Sequence, residues 1–432
     1  MTDVAPARTD LDAAVAEARE AYAARRPGSL AAHRDAAEVM PGGNTRTVLF
    51  HSPFPLRIAR GEGSRLIDVD GLEYVDLLGE YTAGLFGHSD PVIRAAIDEA
   101  LDAGVNLGAH NTYEARLARV VVERFPSIEK VRFTNSGTEA NLMALAAARV
   151  ATGRPRVMVF EGGYHGGVLT FGSEPASVNA PYPTVIGRYN DADGAAATIA
   201  SSDDLAAVLV EPMMGSGGCI PAAAEFLAAL RAATAKRDVL LVFDEVMTSR
   251  VAPGGAQELL GVLPDLTTLG KYVGGGMSFG AFGGTAALMD QFDPTLPGAL
   301  GHAGTFNNNV LTMAAGAAAL SRVFTPDAAR ALTATGDRLR GTLNQRFDDL
   351  GVDWQCTGLG SIMNLHPTRV TVGHPGDLAA VDDRRRELLF LDLLEEGYYI
   401  ARRGFIALSL ALSEEQLDGF VDAVSRVVSR RG

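Results

Sequence analysis

The chain has 432 residues, 47% of them hydrophobic, and a formal net charge of −14. Its length predicts a large domain together with a smaller one, and its dispersed negative charge argues against a nucleic-acid or anionic-membrane surface. Since no apolar run approaches the roughly 18 residues that span a bilayer and no secretory signal is recognisable, a cytoplasmic protein without membrane spans is expected.

Residues 1–89 are predicted to form an amino-terminal arm and a segment of the small domain. Alanine-rich helical stretches interrupted by Pro27 come first. Three short strand-like runs then begin at Leu56, Arg65 and Tyr74, separated by glycines. This pattern predicts a small antiparallel layer.

From about residue 90, helices alternate with short apolar strands. The strand-like runs begin at Val131, Arg156, Ala207, Val239 and Leu266. Repeated alternation of strand and helix predicts an α/β fold with a mostly parallel sheet covered on both faces, and we assign this large domain to residues 90–325. Ligands of such sheets bind at the carboxyl ends of the strands.

A carboxyl-terminal small domain is predicted for residues 326–432. Thr325 and Pro326 have the polar cap and first-turn proline of a new helix, and the pattern of residues 327–347 is amphipathic. A strand is expected from Thr357 to Leu365. The chain has two cysteines without a paired spacing, so neither a disulfide framework nor a metal site is predicted.

A phosphate-binding turn is predicted between the strand that begins at Val131 and the alanine-rich helix after it. Ser136, Gly137 and Thr138 stand there, and hydroxyls together with the free amides of a helix start favour an anion. An ordinary helix cap, in which Ser136 or Thr138 accepts from a first-turn amide, explains the same residues. Both interpretations stay open for this segment taken alone.

A glycine-rich loop and two carboxylates follow the next buried strands. Gly162-Gly-Tyr-His-Gly-Gly presents Tyr164 and His165 at a strand terminus, where an aromatic ring can stack on a planar cofactor or simply pack inward. Glu211 and Asp244 end apolar strands, and a carboxylate buried there needs a partner. A protonated ring nitrogen is one such partner, and a salt bridge or helix cap is the usual alternative.

Lys271 stands in the glycine-rich turn Gly270-Lys-Tyr-Val-Gly-Gly-Gly. Most lysines are solvated surface charges, so its meaning depends on the other motifs. A phosphate cradle, a stacking ring, a carboxylate and a lysine on successive strand ends are what pyridoxal 5'-phosphate requires. We therefore predict an enzyme of this cofactor with Lys271, Asp244 and Tyr164 as its catalytic residues.

From about Pro41 to its carboxyl terminus, the chain resembles the class III pyridoxal-phosphate aminotransferases of fold type I. The motifs that carry the resemblance are Asn135-Ser-Gly-Thr-Glu-Ala-Asn, Asp244-Glu-Val-Met-Thr, Gly270-Lys-Tyr-Val-Gly-Gly-Gly and Gly304-Thr-Phe. The resemblance implies a mostly parallel seven-stranded sheet covered by helices. It also implies a smaller α+β domain formed by the amino- and carboxyl-terminal parts of the chain.

The resemblance implies roles for single residues as well. Lys271 would form the Schiff base with the cofactor, Asp244 would pair with its pyridine nitrogen, and Val246 would pack on the ring face opposite Tyr164. Thr305 would reach the phosphate from a second subunit, so a homodimer with shared active sites is expected. The full cofactor-binding set is Ser136, Gly137, Thr138, Tyr164, His165, Glu211, Asp244, Val246, Lys271 and Thr305.

Within this class, the chain looks closest to glutamate-1-semialdehyde aminomutases and β-phenylalanine aminotransferases. Five stretches look like the second group: Asn44-Thr-Arg-Thr-Val-Leu-Phe, Glu80-Tyr-Thr-Ala-Gly, Thr248-Ser-Arg, Gly276-Met-Ser-Phe-Gly-Ala-Phe-Gly-Gly and Arg403-Gly-Phe-Ile-Ala-Leu-Ser-Leu. The aminomutases usually show proline after the triple glycine, where this chain has Met277. That difference weakens the aminomutase interpretation.

Two arginines are candidate ligands for substrate carboxylates, because a planar guanidinium pairs bidentately with a carboxylate. The resemblance implies a clamp at Arg46, although a surface or interface salt bridge explains an arginine there equally well. Arg403 would bind the distal carboxylate of the second substrate or move aside for an aromatic group, with Arg402 as the alternative assignment. Met277 would contribute an apolar wall.

The expected reaction is transamination of an aromatic β-amino acid, (S)-β-phenylalanine in particular, to a β-keto acid. The acceptor would be 2-oxoglutarate or pyruvate, and the cycle would be ping-pong through pyridoxamine phosphate. A glutamate-1-semialdehyde aminomutase, another ω-amino acid aminotransferase and a catalytically silent relative of the fold are the alternatives.

Overall fold

The computed structural model describes residues 10–172 and 176–431. The helices are α1 (Leu11–Arg25), α2 (Pro27–Val39), α3 (Pro91–Ala103), α4 (Thr112–Arg124), α5 (Gly137–Thr152), α6 (Ala192–Ser201), α7 (Ala224–Arg237), α8 (Ala256–Leu260), α9 (Ala286–Met289), α10 (Val310–Ala318), α11 (Pro326–Leu350), α12 (Asp383–Glu395) and α13 (Glu414–Arg431). The strands are β1 (Ile58–Glu62), β2 (Arg65–Asp68), β3 (Glu73–Asp76), β4 (Lys130–Thr134), β5 (Arg156–Phe160), β6 (Gly163–Tyr164), β7 (Thr170–Phe171), β8 (Thr184–Gly187), β9 (Leu205–Val210), β10 (Met213–Met214), β11 (Ile220–Pro221), β12 (Leu240–Asp244), β13 (Leu266–Gly270), β14 (Gly280–Gly284), β15 (Gln355–Leu359), β16 (Ile362–His366), β17 (Tyr398–Tyr399) and β18 (Phe405–Ala407).

A seven-stranded sheet with the order β4-β14-β13-β12-β9-β5-β8 forms the centre of the fold. β14 runs antiparallel to both of its neighbours, and the other adjacent strands are parallel. In β9, Ala207 and Leu209 pack on the side of α5, whereas Val208 and Val210 pack on the side of α6 and α7. Burial on both faces explains the continuous apolar sequence of this strand, and the predicted α/β architecture is confirmed.

The parallel strands end at one edge of this sheet. β4 ends at Thr134, β5 at Phe160, β9 at Val210, β12 at Asp244 and β13 at Gly270. The predicted cofactor-binding residues Ser136, Tyr164, Glu211, Asp244 and Lys271 stand at these ends or shortly after them, so the sheet brings segments that are far apart in sequence to the edge where ligands of such folds bind.

Two smaller sheets involve the ends of the chain. The three antiparallel strands predicted near residues 56–78 are present as β1, β2 and β3, and β17 joins them by pairing in parallel with β3. The other sheet has the order β15-β16-β18. Amino- and carboxyl-terminal segments therefore share one sheet, whereas the boundaries proposed at residues 89 and 325 stay predictions.

The prediction of one strand from Thr357 to Leu365 is wrong. The chain turns at Gly360, whose φ is +55°, and returns as β16, which pairs antiparallel with β15. Glycine adopts this left-handed conformation at little cost, so the segment is split into a hairpin at Gly360 and Ser361.

Local sequence explains where two of the helices begin. Thr325 caps α11 by accepting a hydrogen bond from the amide of Ala328 at 3.3 Å, and Pro326 takes the first helical position as predicted. Pro27 likewise takes the first helical position of α2, but Arg26, which separates it from the end of α1, makes no side-chain cap. None of the helices in the described part of the chain is long and apolar enough to cross a bilayer.

Candidate active site

The turn between β4 and α5 contains the predicted phosphate cradle. Ser136 is the N-cap of α5, and its hydroxyl accepts from the amide of Glu139 at 3.1 Å. Thr138 Oγ1 accepts from the amide of Gly167 at 3.3 Å, which joins the cradle to the glycine-rich loop. The helix cap that was the alternative interpretation is therefore present. A cap satisfies only part of the unpaired amides at a helix start, so it is compatible with an anion at the same turn.

Val246 lies between this cradle and the turn that carries the candidate lysine. A Cβ added to Gly137 would come within 2.9 Å of Val246 Cγ2, and one added to Gly270 would come within 3.0 Å of Val246 Cγ1. Side chains at either glycine would therefore collide with the valine. The segments that follow β4, β12 and β13 are in direct contact here, as the joint interpretation of the motifs requires.

Asp244 is buried in a network of polar groups at the end of β12. Its Oδ2 lies 2.8 Å from His165 Nδ1 and accepts from the side-chain amide of Asn141 at 2.9 Å. Its Oδ1 accepts from the amide of Val246 at 3.0 Å. Because a buried carboxylate is costly without such partners, the network both compensates for the burial of Asp244 and fixes its orientation.

Asn141 and Thr268 are the members of this network that sequence reasoning misses. The Asn141 amide also donates to the carbonyl of His165 at 2.9 Å, and its oxygen accepts from the hydroxyl of Thr268 at 2.7 Å. Both the nitrogen and the oxygen of the Asn141 side chain are therefore hydrogen-bonded, which fixes its orientation. An available signal was the presence of polar side chains within an alanine-rich helix and an apolar strand, since buried polar groups require partners.

Glu211 anchors the loop that carries Tyr164. Its Oε1 accepts from the amide of Tyr164 at 3.1 Å, and its Oε2 accepts from the amide of Gly215 at 2.9 Å. Burial raises the pKa of Glu211 to about 7, and the nearby Asp244 acts in the same direction. The Tyr164 side chain is 44% exposed, which leaves its ring accessible to a planar ligand.

Lys271 has a φ of +52°, a conformation that residues other than glycine rarely adopt and that often marks functional sites. Desolvation lowers the pKa of its amine, and the carboxylates of Asp244 and Glu211 oppose this shift. The guanidinium groups of Arg403 and Arg46 lower the pKa further. A depressed amine pKa favours the neutral, nucleophilic form that a Schiff-base lysine needs.

The chain contains three lysines, and the other two lie on the surface. Lys130 forms an ion pair with Asp290. Lys236 is exposed in the last turn of α7. Lys271 is therefore the lysine that the fold places beside Asp244 at the ligand-binding edge of the sheet.

Both candidate substrate arginines contact one short turn, Gly79–Thr82. Arg46 Nη1 forms an ion pair with the carboxylate of Glu80, in line with the salt-bridge interpretation of this arginine. The guanidinium carbon of Arg403 lies 5.0 Å from the ring centre of Tyr81. Glu80 stands in Glu80-Tyr-Thr-Ala-Gly, one of the stretches that carry the resemblance, but its pairing with Arg46 was not predicted, since the two residues are far apart along the chain.

Arg402 and Arg403 face different surroundings. Arg402 Nη2 is 2.7 Å from Asp383 Oδ2 and 2.8 Å from Glu387 Oε2, so its charge is compensated by α12. Arg403 instead lies over two aromatic rings, and its Nε has no hydrogen-bond partner among the described residues. This difference favours Arg403 as the arginine available to a substrate carboxylate.

Two further predicted site residues, Met277 and Thr305, have no described hydrogen bond to the residues around Asp244. Met277 lines a cavity of about 450 Å³ together with Glu80. Thr305 is exposed. The described residues show no hydrogen bond between Thr305 and the cradle of its own chain, although Asn307 in the same turn accepts from Asn135 at 3.0 Å.

These groups fit a phosphate-bearing pyridine aldehyde. A helix start with hydroxyls suits the phosphate, a buried and oriented carboxylate suits a protonated ring nitrogen, and a desolvated amine suits the aldehyde. The close packing of Val246 against two glycines leaves an apolar surface for one ring face.

Comparisons with known proteins give a family for this site. The family model for class-III aminotransferases matches residues 50–428. The beta-phenylalanine transaminase of Variovorax paradoxus is 53% identical over 98% of this chain and 97% of its own length. The glutamate-1-semialdehyde 2,1-aminomutase of Rhodopirellula baltica is 40% identical over 93% of this chain and 96% of its own.

Solved structures agree with the sequence comparisons. A crystal structure of a beta-phenylalanine aminotransferase from V. paradoxus matches with a TM-score of 0.97 at 53% identity and covers 98% of both chains. A transaminase with bound pyridoxal phosphate matches with a TM-score of 0.85 at 33% identity, over 94% of this chain and 98% of the other. Fold and site together define a pyridoxal-phosphate-dependent transferase of fold type I. The chain belongs to the class-III aminotransferases.

Proposed function

We propose that this aminotransferase acts on aromatic β-amino acids, with (S)-β-phenylalanine as a donor and 2-oxoglutarate or pyruvate as the acceptor. The observation that carries the proposal is the pair of arginines on either side of the Gly79–Thr82 turn, both of which act electrostatically on Lys271. A β-amino acid has an extra carbon between its amine and its carboxylate, so a carboxylate clamp on the amino-terminal segment suits it. The relative with 53% identity has beta-phenylalanine as its amino donor by name.

Each residue of the site has its own role in the proposed reaction. When bound, pyridoxal phosphate supplies an aldehyde that accepts the amino group and a protonated ring that withdraws electrons. Ser136, Gly137 and Thr138 hold the phosphate, and Asp244 keeps the proton on the pyridine nitrogen. Lys271 Nζ removes the proton from the amine-bearing carbon of the substrate and returns it later in the cycle.

The other residues orient these groups. His165 and Asn141 fix the carboxylate of Asp244, Glu211 fixes the loop that presents Tyr164, and Val246 supports the ring face opposite the tyrosine. Arg46 binds the carboxylate of the β-amino acid. Arg403 binds the distal carboxylate of the acceptor, or turns aside when an aromatic group takes its place, and Met277 lines the apolar part of the pocket.

The substrate can be tested by the half-reaction alone. Mixing the holoenzyme with (S)-β-phenylalanine, without an acceptor, should convert the absorbance of the pyridoxal form to that of the pyridoxamine form. Arg46→Met should raise the KM for this substrate about 30-fold or more, because a bidentate charged pair is lost, while the KM for an amine without a carboxylate should change much less. Conversion of glutamate-1-semialdehyde to 5-aminolevulinate without an acceptor, and no response to β-phenylalanine, would instead establish the aminomutase alternative.

We also infer that the enzyme is a homodimer in which Thr305 of a second copy completes the phosphate cradle. The exposure of Thr305, and the position of its turn beside Asn135 at the start of the cradle, support this inference. Thr305→Val should weaken pyridoxal-phosphate binding about tenfold through the loss of one hydrogen bond to a charged group, with the dimer intact in sedimentation velocity. If Thr305→Val binds the cofactor as tightly as the wild type, or if the wild-type enzyme is a monomer, the shared site is contradicted.

A further inference from the structure

The ion pair between Arg46 and Glu80 places a carboxylate of the protein on the arginine that we propose as the clamp for a substrate carboxylate. Arg46 Nη1 contacts Glu80 Oε1 directly. The two side chains are 44% and 53% exposed, so the pair is in contact with solvent. One guanidinium is therefore already occupied by the functional group that a β-amino acid would bring to it.

The backbone that presents Glu80 is unusual. Gly79, Glu80, Tyr81 and Thr82 have φ values of +53°, +48°, +52° and +83°, so three residues with side chains lie in a region that normally favours glycine. Such a run persists only when its surroundings determine it.

Two contacts hold this turn in place. The carbonyl of Thr82 accepts from Nη1 of the fully buried Arg250 at 3.3 Å. A Cβ added to Gly79 would come within 2.5 Å of the carbonyl oxygen of Ala407, so the turn is closely packed against β18. The position of Glu80 is thus set by the fold rather than by a mobile loop.

The charges around the turn suit a displaceable contact. Exposed ion pairs contribute little, typically shifting an equilibrium by about two- to fivefold, because water screens them. A ligand carboxylate that also places its phenyl ring in the apolar pocket has additional binding energy with which to displace Glu80. Tyr81, the next residue, lies against Arg403, so one rigid turn contacts both candidate arginines.

We propose that Glu80 is a built-in competitor for the clamp: its carboxylate occupies Arg46 in the free enzyme and is displaced by the carboxylate of an incoming substrate. This inference rests on the proposed function, since it requires Arg46 to be the carboxylate clamp. Glu80 lowers the affinity for every carboxylate ligand by competing for Arg46. It also neutralises Arg46 when the pocket is empty, so that the arginine is not left as an unpaired charge.

The test is the binding of a carboxylate that cannot react. The dissociation constant of 3-phenylpropanoate, which is β-phenylalanine without its amino group, is measured by titration calorimetry on the holoenzyme. Glu80→Gln keeps the size of the side chain and removes its charge, so it should lower this constant about two- to fivefold. The difference between variant and wild type should shrink at high salt, because screening weakens an exposed pair.

A neutral ligand shows whether the effect of Glu80→Gln depends on the charge of the ligand. The dissociation constant of 3-phenylpropanamide, which has the same shape without the charge, should be equal in wild type and Glu80→Gln. Unchanged or weaker binding of 3-phenylpropanoate to Glu80→Gln overturns the proposal, and so does an equal gain for the amide.

Arg46→Met separates this inference from the proposed function. Weaker binding of 3-phenylpropanoate to Arg46→Met, together with no further effect of adding Glu80→Gln to it, supports both. If Arg46→Met binds the acid as the wild type does, the clamp itself is wrong. If Arg46→Met weakens binding and Glu80→Gln alone does not strengthen it, the clamp stands and only the competition is wrong.

Discussion

Lys271→Ala should reduce the rate of the β-amino acid half-reaction by about a thousandfold or more, because the variant loses the amine that we propose both carries the cofactor and moves the proton. The phosphate cradle and Asp244 do not depend on this side chain, so the variant should still bind pyridoxal phosphate non-covalently. Stopped-flow absorbance after mixing with amine measures the rate, and ultrafiltration measures the retained cofactor.

The small number of lysines makes the covalent part of this prediction decisive. Borohydride reduction of the holoenzyme followed by peptide mapping can mark three lysines, Lys130, Lys236 and Lys271. The modified peptide should contain Lys271, and Lys236→Ala, a change on the exposed face of α7, should react like the wild type. Cofactor attached to Lys130 or Lys236, or full activity in Lys271→Ala, would show that the lysine has been assigned wrongly.

Much of the fold could be predicted from sequence because its strands are apolar on both faces. β5 and β9 are buried in the middle of the sheet, so nearly every residue of each strand carries the signal. The hairpin of β15 and β16 could not be predicted in the same way. Its segment contains Gly358, Gly360 and Ser361, which are turn residues, but their order does not show where the chain reverses; in the structure both glycines have a positive φ.

The residues of the candidate site likewise differ in how well the sequence predicts them. Asp244 ends β12 and Lys271 directly follows β13, so their position at the binding edge is a local property of the sequence. The partners of Asp244 are not local, because Asn141 reaches it only when α5 and β12 are packed together. The position of Glu80 is even harder to predict from the sequence, since its backbone has a left-handed conformation that its residue type disfavours and that distant contacts impose.

Arg250→Met should lower the free energy of unfolding by about 3 kcal/mol, because buried hydrogen-bonding groups would lose their donor. Arg250 is fully buried, and its guanidinium donates to Ser361 Oγ at 3.1 Å, to the carbonyl of Thr82 at 3.3 Å and to the carbonyl of Leu408. Burial lowers the pKa of Arg250 to about 10. All three acceptors are neutral, so the arginine holds segments together rather than compensating a carboxylate.

Matched substitutions distinguish this role from the loss of any arginine. Arg338→Met removes an exposed arginine that pairs with Glu414, and it should change stability by no more than about 0.5 kcal/mol. Arg250→Lys keeps the positive charge but lacks the planar fork that reaches three acceptors, so it should be destabilised as well. Urea unfolding at a fixed protein concentration measures all three variants. Equal stability of Arg250→Met and Arg338→Met would contradict the prediction.

Arg250→Met should also change substrate binding, because Arg250 donates to the carbonyl of Thr82 and thereby holds the strained turn Gly79–Thr82 in place. Once that contact is lost, Glu80 and Tyr81 are free to relax toward ordinary backbone conformations, and the surroundings of Arg46 and Arg403 change together. At temperatures where the variant is folded, its KM for a β-amino acid should therefore rise more than its KM for an amine without a carboxylate. An equal change for both amines would mean that the turn keeps its shape without the arginine, and that Ala407 packed against Gly79 is sufficient to hold it.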